Sequence, residues 1–278
     1  MPNYGYHFAR AWGRLVCGVY EALLPAIVTR RIHCLRQLPL DVFSYSSESR
    51  LAEQIASIRS FLRYAGRPRR FIVVSDGSHS KRSIELLKRI DPTISVEYVP
   101  APSADMPPDF AAYLATHATG KQLALIMSLP RERPALYIDS DVLFFPGAQD
   151  LDELVRTPGA PAYYLQDCGF AGDENMVHTP EEKERPVNVG VLMFFQRLDW
   201  SFSAARFAQS RSEPTFFTNQ TITHLAMHAN RAQPLDPLKY ILQLDDQFVY
   251  ADHYAGRSIV LRHYVDPVRH KFWTSVFP

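Results

Sequence analysis

Apolar residues fall in two rhythms along this chain. Short strand-like stretches rich in apolar residues, at 42–44, 71–74 and 94–99, alternate with stretches where they recur every three or four positions. Leu51, Ile55, Ile58 and Leu62 form one helical stripe, capped by Ser47 and stopped by Gly66. Ile84, Leu87 and Ile90 form a second, closed by Pro92. Residues 40–100 therefore predict β-α-β-α-β, which requires a mainly parallel sheet with right-handed crossovers. Prolines between 100 and 108 predict a loop, followed by a helix over 110–129 that breaks near Gly120. A fourth strand then runs from Pro134 to Phe145 and ends at Pro146-Gly147. Beyond it the pattern is mixed. Strands are expected at 162–165, 187–195, 247–250 and 258–264, and helices over 201–210 and 219–229. The polar stretch 168–185 is expected to be a mobile loop that orders over a bound ligand.

The first residues need separate treatment. Arg10 and Arg14 precede an apolar run, 15–28, that superficially resembles a signal peptide. Glu21 lies inside that run, Pro25 interrupts it, and it is too short to span a bilayer as a helix. Residues 1–38 are read as a helical extension packing on the main domain, 39–278. The alternative is peripheral contact with a membrane, because basic amphipathic helices favour anionic lipid surfaces.

The chemistry concentrates in Tyr137-Ile138-Asp139-Ser140-Asp141-Val142-Leu143-Phe144. A buried strand that delivers two carboxylates to the carboxyl edge of an α/β sheet is suited to a hard divalent cation such as Mn²⁺ or Mg²⁺. Two carboxylates pointing the same way repel unless a cation or protons lie between them. Exposed Asp-x-Asp triplets are common in loops, but this one has apolar residues on both sides and a turn signal after it.

Composition narrows the rest. Apolar residues are 46% of 278 and charged residues 21%, ordinary for a globular protein with a sizeable core. A formal charge of +1 gives no general basic field for nucleic acid. Cys17, Cys34 and Cys168 are odd in number and widely spaced, with no CxxC, which fits a reducing, cytoplasmic setting. No GxGxxG opens a helix and no GxxxxGK[ST] is present, which argues against a dinucleotide site and a P-loop. In the strand at 187–195, Gly190 marks close approach by a ligand or another backbone. Asn188 either donates to a ligand or satisfies a neighbouring backbone group. The tail carries Arg262-His263-Tyr264 and Arg269-His270-Lys271-Phe272-Trp273. His263, at a strand end, either completes a cation site or is structural. The nearby Lys and Arg either grip phosphates or form a solvated terminus.

The strand-DxD-strand pattern resembles the signature of GT-A fold glycosyltransferases. It is most similar to family 8, the group of the bacterial galactosyltransferases and glycogenin. Lys121 with the apolar helix after it, Asn188-Val189-Gly190, Asn219-Gln220, and His263 followed by Lys271 and Trp273 resemble further family segments in the same order. Asn219 stands where that family usually has an acid, and Phe272 where it usually has proline. The step of eight residues from His263 to Lys271 is longer than usual.

The resemblance implies a Rossmann-like GT-A fold and transfer of a sugar from a nucleotide-diphosphate donor, by default a UDP-sugar, to a carbohydrate-type acceptor, with retention. It implies Mn²⁺ or Mg²⁺ on Asp139, Asp141 and His263, with Lys271 on the same phosphates. Asn188 and Gln220 would face the donor sugar. Ser44, Tyr45, Arg50, Ser75 and Asp76 would lie near the base and ribose. Lys121, Ser140, Gly190 and Trp273 would complete the donor site. Rival readings are a phosphatase of the HAD type, with Leu244-Asp245-Asp246 as its late metal motif, a sugar nucleotidyltransferase, and a catalytically silent binding module. Three β-α units precede the aspartates, which disfavours the first. No glycine-rich basic signature opens the chain, which disfavours the second.

Overall fold

A computed structural model describes residues 3–34, 36–102 and 106–276. Helix α1 (Tyr4–Ile27) comes first, running through Pro25 rather than ending before it. Then follow β1 (Gln37–Ser46), α2 (Leu51–Tyr64), β2 (Arg67–Ser75), α3 (Lys81–Lys88), β3 (Ile94–Tyr98), α4 (Pro108–Thr116), α5 (Ala118–Met127), β4 (Ala135–Ile138) and β5 (Val142–Phe144). The second half holds α6 (Leu151–Arg156), β6 (Tyr163–Gln166), β7 (Val187–Phe194), α7 (Ser201–Ser210), α8 (Thr218–Ala229), β8 (Gln233–Pro234), β9 (Tyr240–Ile241), β10 (Leu261–His263) and α9 (Phe272–Ser275).

The large sheet has the order β3-β2-β1-β4-β7-β6-β8. Strands β1 to β4 are mutually parallel, while β7 runs antiparallel to both β4 and β6. Sequence alternation assigns the two faces. Val42, Val73 and Leu136 join one buried cluster with Ile55, Ile58 and Leu62 of α2. Their neighbours Phe43, Ile72 and Tyr137 join another with Leu123 and Ile126 of α5 and Ile222 of α8. Helices cover both faces, which is why these strands read as nearly continuous apolar runs.

A second sheet, β5-β10-β9, is small but decisive for the site. The expected single strand from Pro134 onward is in fact two, in two sheets. Asp139-Ser140-Asp141 forms the corner between them, where the Val142 amide bonds back to the Asp139 carbonyl at 3.4 Å. Antiparallel pairing of β5 with β10 sets His263 opposite Val142.

Several expectations are corrected. No strand forms at 247–250, where the backbone is a run of turns. That segment is fastened from beneath. Lys271 donates to the Val249 and Ala251 carbonyls, and buried Arg262 holds Asp246 at 2.7 Å and also pairs with Asp252. The strand at 258–264 shrinks to β10, and β9, only two residues long, has no periodic signature. Residues 168–185 form two 3-10 turns and are tied down. Asp173 bonds Thr221 and Thr218, Glu182 pairs with Arg206, and Met176 is buried. Strand β1 begins at Gln37, inside the segment assigned to the extension.

The helix over 110–129 is also two helices, meeting at His117, whose extended ψ of 141° ends α4. Gly120 has a different role: a Cβ there would overlap the Tyr113 carbonyl, so the glycine lets the two helices close on each other. Gly120→Ala is expected to destabilise the fold by about 1–3 kcal/mol, the range for overpacking a tight contact, as measured by urea unfolding.

Candidate active site

Three side chains from two places converge at the carboxyl end of β4. Asp139 and Asp141 come from the corner, and His263 from the end of β10. Their ligand atoms lie within 4.8 Å of one another. His263 Nε2 is 3.1 Å from Asp141 Oδ1 and 3.7 Å from Asp139 Oδ2. The other ring nitrogen, Nδ1, meets the Asn188 side-chain carbonyl at 2.9 Å. That oxygen also accepts the Gly190 amide, while the Asn188 amide nitrogen donates to Asp167 at 2.9 Å. The asparagine is thus fixed with its oxygen toward the ring, so Nδ1 carries a proton, and Nε2, which meets Asp141 in the metal-free chain, is the nitrogen that becomes a ligand once it is deprotonated. Two carboxylates and one imidazole, oriented in this way, form a donor set that fits Mn²⁺ or Mg²⁺.

Each carboxylate is held by its far oxygen. Asp139 Oδ1 accepts from Tyr137 at 2.7 Å and from Gln122 of α5 at 2.9 Å. Gln122 in turn accepts from Asn219 of α8 at 3.0 Å. Asp141 Oδ2 pairs with Arg269 at 2.9 Å, and Arg269 grips Glu53 with two bonds. Burial pushes the Asp139 carboxyl upward, and the adjacent Asp141 adds to that shift. For Asp141 burial is outweighed by His263 and Arg269, which bring it down to about 2. Burial opposes the charged form of His263, yet Asp141 and Asp139 outweigh it and raise its pKa.

On the β6–β7 side, Asp167 accepts from both Asn188 and Gln220, the latter at 3.2 Å. A carboxylate and two amides therefore stand together beside the acidic pair.

No family model and no curated relative matches the sequence. Solved structures do. The galactosyltransferase LgtC in complex with donor and acceptor sugar analogues superposes with a TM-score of 0.57 at 14% identity, over 85% of this chain and 95% of LgtC. The fold is the GT-A fold. Mouse xyloside xylosyltransferase 1 shares it with a TM-score of 0.50 at 13% identity, over 84% of this chain and 99% of the other. Streptococcus pneumoniae glycosyltransferase GlyE shares it at 0.54 and 14%, over 87% of this chain and 61% of GlyE.

Within this GT-A frame, several residues singled out from sequence lie elsewhere than expected. Lys271 is fully buried, and its ammonium serves the 249–251 carbonyls and Asp246 at 3.3 Å, so it is not on the phosphates. The cation beside the acidic pair is Arg269. Trp273 packs against Tyr20 and Phe272 in the core and contributes no donor contact. Ser44 is buried and donates to Gln54. Ser75 is buried on His79, and Arg50 pairs with Glu53. Ser44 and Ser75 therefore have their polar atoms engaged inside the protein, whereas Arg50 lies exposed with its guanidinium paired to Glu53.

Tyr45 and Asp76 remain partly exposed at the ends of β1 and β2. Ser140 is buried within the corner. Lys121 is half-buried, and it is its neighbour Gln122 that reaches Asp139. Gly190 does mark a close approach, but by the His263 ring, which a Cβ at Gly190 would overlap. Asp246, the late acid of the phosphatase reading, is locked under Arg262. Asp167, Gln122, Arg269 and Glu53 were missed. Gln122 stands between Lys121 and the apolar run of the helix before the aspartates, and Arg269 lies in the basic tail, whereas Asp167 and Glu53 carry no such signal.

Two consequences are measurable. Gly190→Ala should displace the imidazole and weaken Mn²⁺ binding about 10–100-fold, the range for losing a ligand's support, by calorimetric titration with the circular dichroism spectrum retained. Metal binding must also expel the proton from His263. Affinity for Mn²⁺ is therefore expected to fall as pH drops through the raised histidine pKa. In the metal-free chain the sign is opposite. Protonated His263 stabilises the fold below its unfolded pKa, and that contribution disappears as pH rises through the folded value.

Proposed function

We propose that this chain is a divalent-metal-dependent glycosyltransferase that moves a sugar from a nucleotide-diphosphate donor, by default a UDP-sugar, to a carbohydrate-type acceptor. The observation that carries this reading is the convergence of Asp139, Asp141 and an Asn188-oriented His263 on one point at the sheet edge. A fold likeness alone would not carry it, because one fold hosts many activities.

A bound Mn²⁺ or Mg²⁺ would supply charge stabilisation to the departing diphosphate. The chain's own residues have separate tasks. Arg269, held on Glu53, provides a fixed guanidinium beside that charge and replaces the expected lysine. Tyr137 and Gln122 aim the Asp139 carboxylate. Tyr45 and Asp76 flank the nucleoside. Asn188, Asp167 and Gln220 form the wall for the donor sugar. Where the resembling family carries an acid before its glutamine, Asn219 here faces Gln122 and Thr223, and Asp167 provides the carboxylate instead. A retaining outcome accompanies the family likeness.

The test is a screen of nucleotide sugars for Mn²⁺-dependent hydrolysis, with thermal shift as the binding assay. Stabilisation is expected to be far larger when UDP and Mn²⁺ are present together than with either alone. Asp139→Ala and Asp141→Ala should each cut turnover about 10³-fold, corresponding to several kcal/mol of lost charge stabilisation, with the circular dichroism spectrum of the free protein retained. Unchanged turnover in either variant, or no thermal response to any nucleotide with metal, would overturn the reading.

A further inference from the structure

Helix α1 buries one face and exposes a second apolar one. Ala9, Gly13, Tyr20 and Leu24 lie against the body of the protein. On the outside are Tyr4, Phe8, Trp12, Leu15, Val19 and Leu23, with exposures of 78, 59, 42, 57, 52 and 51%. At 100° per residue these six positions occupy an arc of about 100° on one side of the helix. Their spacing, 4-4-3-4-4, repeats after eleven residues. It is not the alternation of three and four that a two-stranded coiled-coil seam requires. The patch extends beyond the helix. Exposed Phe248 packs on Tyr6 at 5.3 Å between centroids, and exposed Tyr250 stacks on Phe8 at 6.1 Å. Contiguous apolar surface of this kind marks an interaction site.

Charge identifies the partner. Below the C-terminal end of α1 is a cavity of about 770 Å³, with Tyr20 and Ile27 of the helix in its wall. Arg30, Arg31, His33, Arg36, Arg59 and Arg63 line it, with no carboxylate among the described residues of the lining. Arg59 donates to the Arg30 backbone carbonyl, which draws like charges together rather than pairing them. Burial lowers the Arg59 pKa, Tyr20 opposes that shift and the neighbouring Arg30 charge adds to it. Along α1 itself, Arg10 and Arg14 are exposed and Glu21 is the single acid. The cavity is separate from the acidic pair. Arg59 and Arg63 belong to the last turns of α2, whereas Glu53, which meets Arg269, belongs to its first.

We propose that α1 is an interfacial helix that docks on an anionic phospholipid bilayer, its apolar face in the headgroup boundary and the arginine cavity taking phosphate-bearing headgroups. An apolar stripe along α1, with a cluster of arginines at the C-terminal end of the same helix, matches both components of such a surface. No helix among the described residues is long and apolar enough to cross a membrane, so the contact is with one surface.

The test is co-sedimentation of the full chain with vesicles of phosphatidylcholine alone and of phosphatidylcholine with phosphatidylglycerol. Binding is expected only to the second, with release by salt. Leu15→Ser with Val19→Ser, and separately Arg30→Glu with Arg31→Glu, should each weaken binding about tenfold or more, with circular dichroism and melting unchanged. Inorganic phosphate at millimolar concentration should not release the protein. Three results would overturn the proposal. One is no binding to phosphatidylglycerol vesicles at low salt. Another is binding that the serine pair leaves intact while free phosphate competes. The third is a dimer that the serine pair converts to monomer with vesicle binding unaffected. The assay needs no donor, and Asp139→Ala should bind vesicles like the parent, so its outcome is independent of the glycosyltransferase reading.

Discussion

One hydrogen-bonded corner sustains the site. At Asp139-Ser140-Asp141 the chain leaves the large sheet and enters the small one, and the register Val142↔His263 fixes what it meets there. The Asp139 amide donates to the Gly190 carbonyl, and the Tyr264 amide donates to the Asp141 carbonyl. The backbone of the corner is thus bonded on one side to β7 and on the other to the residue after β10. A residue 122 positions away in sequence is brought within hydrogen-bond reach of an aspartate. Because strand pairing has a strict two-residue alternation, a slip of one position in β10 would turn the imidazole to the opposite face.

The electrostatics follow from that placement. Two neighbouring carboxylates with little exposure require compensation, and the protein provides it unequally. Asp141 receives His263 and Arg269, and is held strongly ionised. Asp139 receives two neutral donors, Tyr137 and Gln122, and its pKa is pushed up. One carboxylate is therefore committed, and the other is the more responsive to an incoming cation. A separate buried network, Arg262 with Asp246 and Asp252 and Lys271 with Asp246, serves structure instead, tying the 243–252 turns to the C-terminal segment.

Most of the sheet was legible because β1, β2 and β4 are covered on both faces, and the apolar runs of such strands are hard to mistake. The acidic pair was legible for a related reason: polar residues directly after a buried strand have few places to go. The supporting residues were not. Gln122 and Asp167 sit on α5 and just after β6, and nothing in their immediate sequence distinguishes them from other polar residues. Their importance arises from contacts across 17 and 53 positions, respectively. Lys271 misled for the converse reason. A basic residue in a tail-like segment reads as solvated or ligand-facing, and only the packing shows it turned inward under Val249 and Ala251. The false strand at 247–250 has the same origin. Phe248, Val249 and Tyr250 look like core but lie on the surface beside α1.

Arg269 and His270 are consecutive residues of one short turn. Gly13 gives α1 room to rest against the His270 carbonyl, where a Cβ would come within 2.7 Å of the oxygen. The guanidinium beside Asp141 and the first helix of the chain therefore share a foundation. Trimming the protein to its sheet would not be a neutral shortening. It would take away the buttress behind the turn that carries Arg269, and the loss would be felt at a carboxylate that α1 itself never touches.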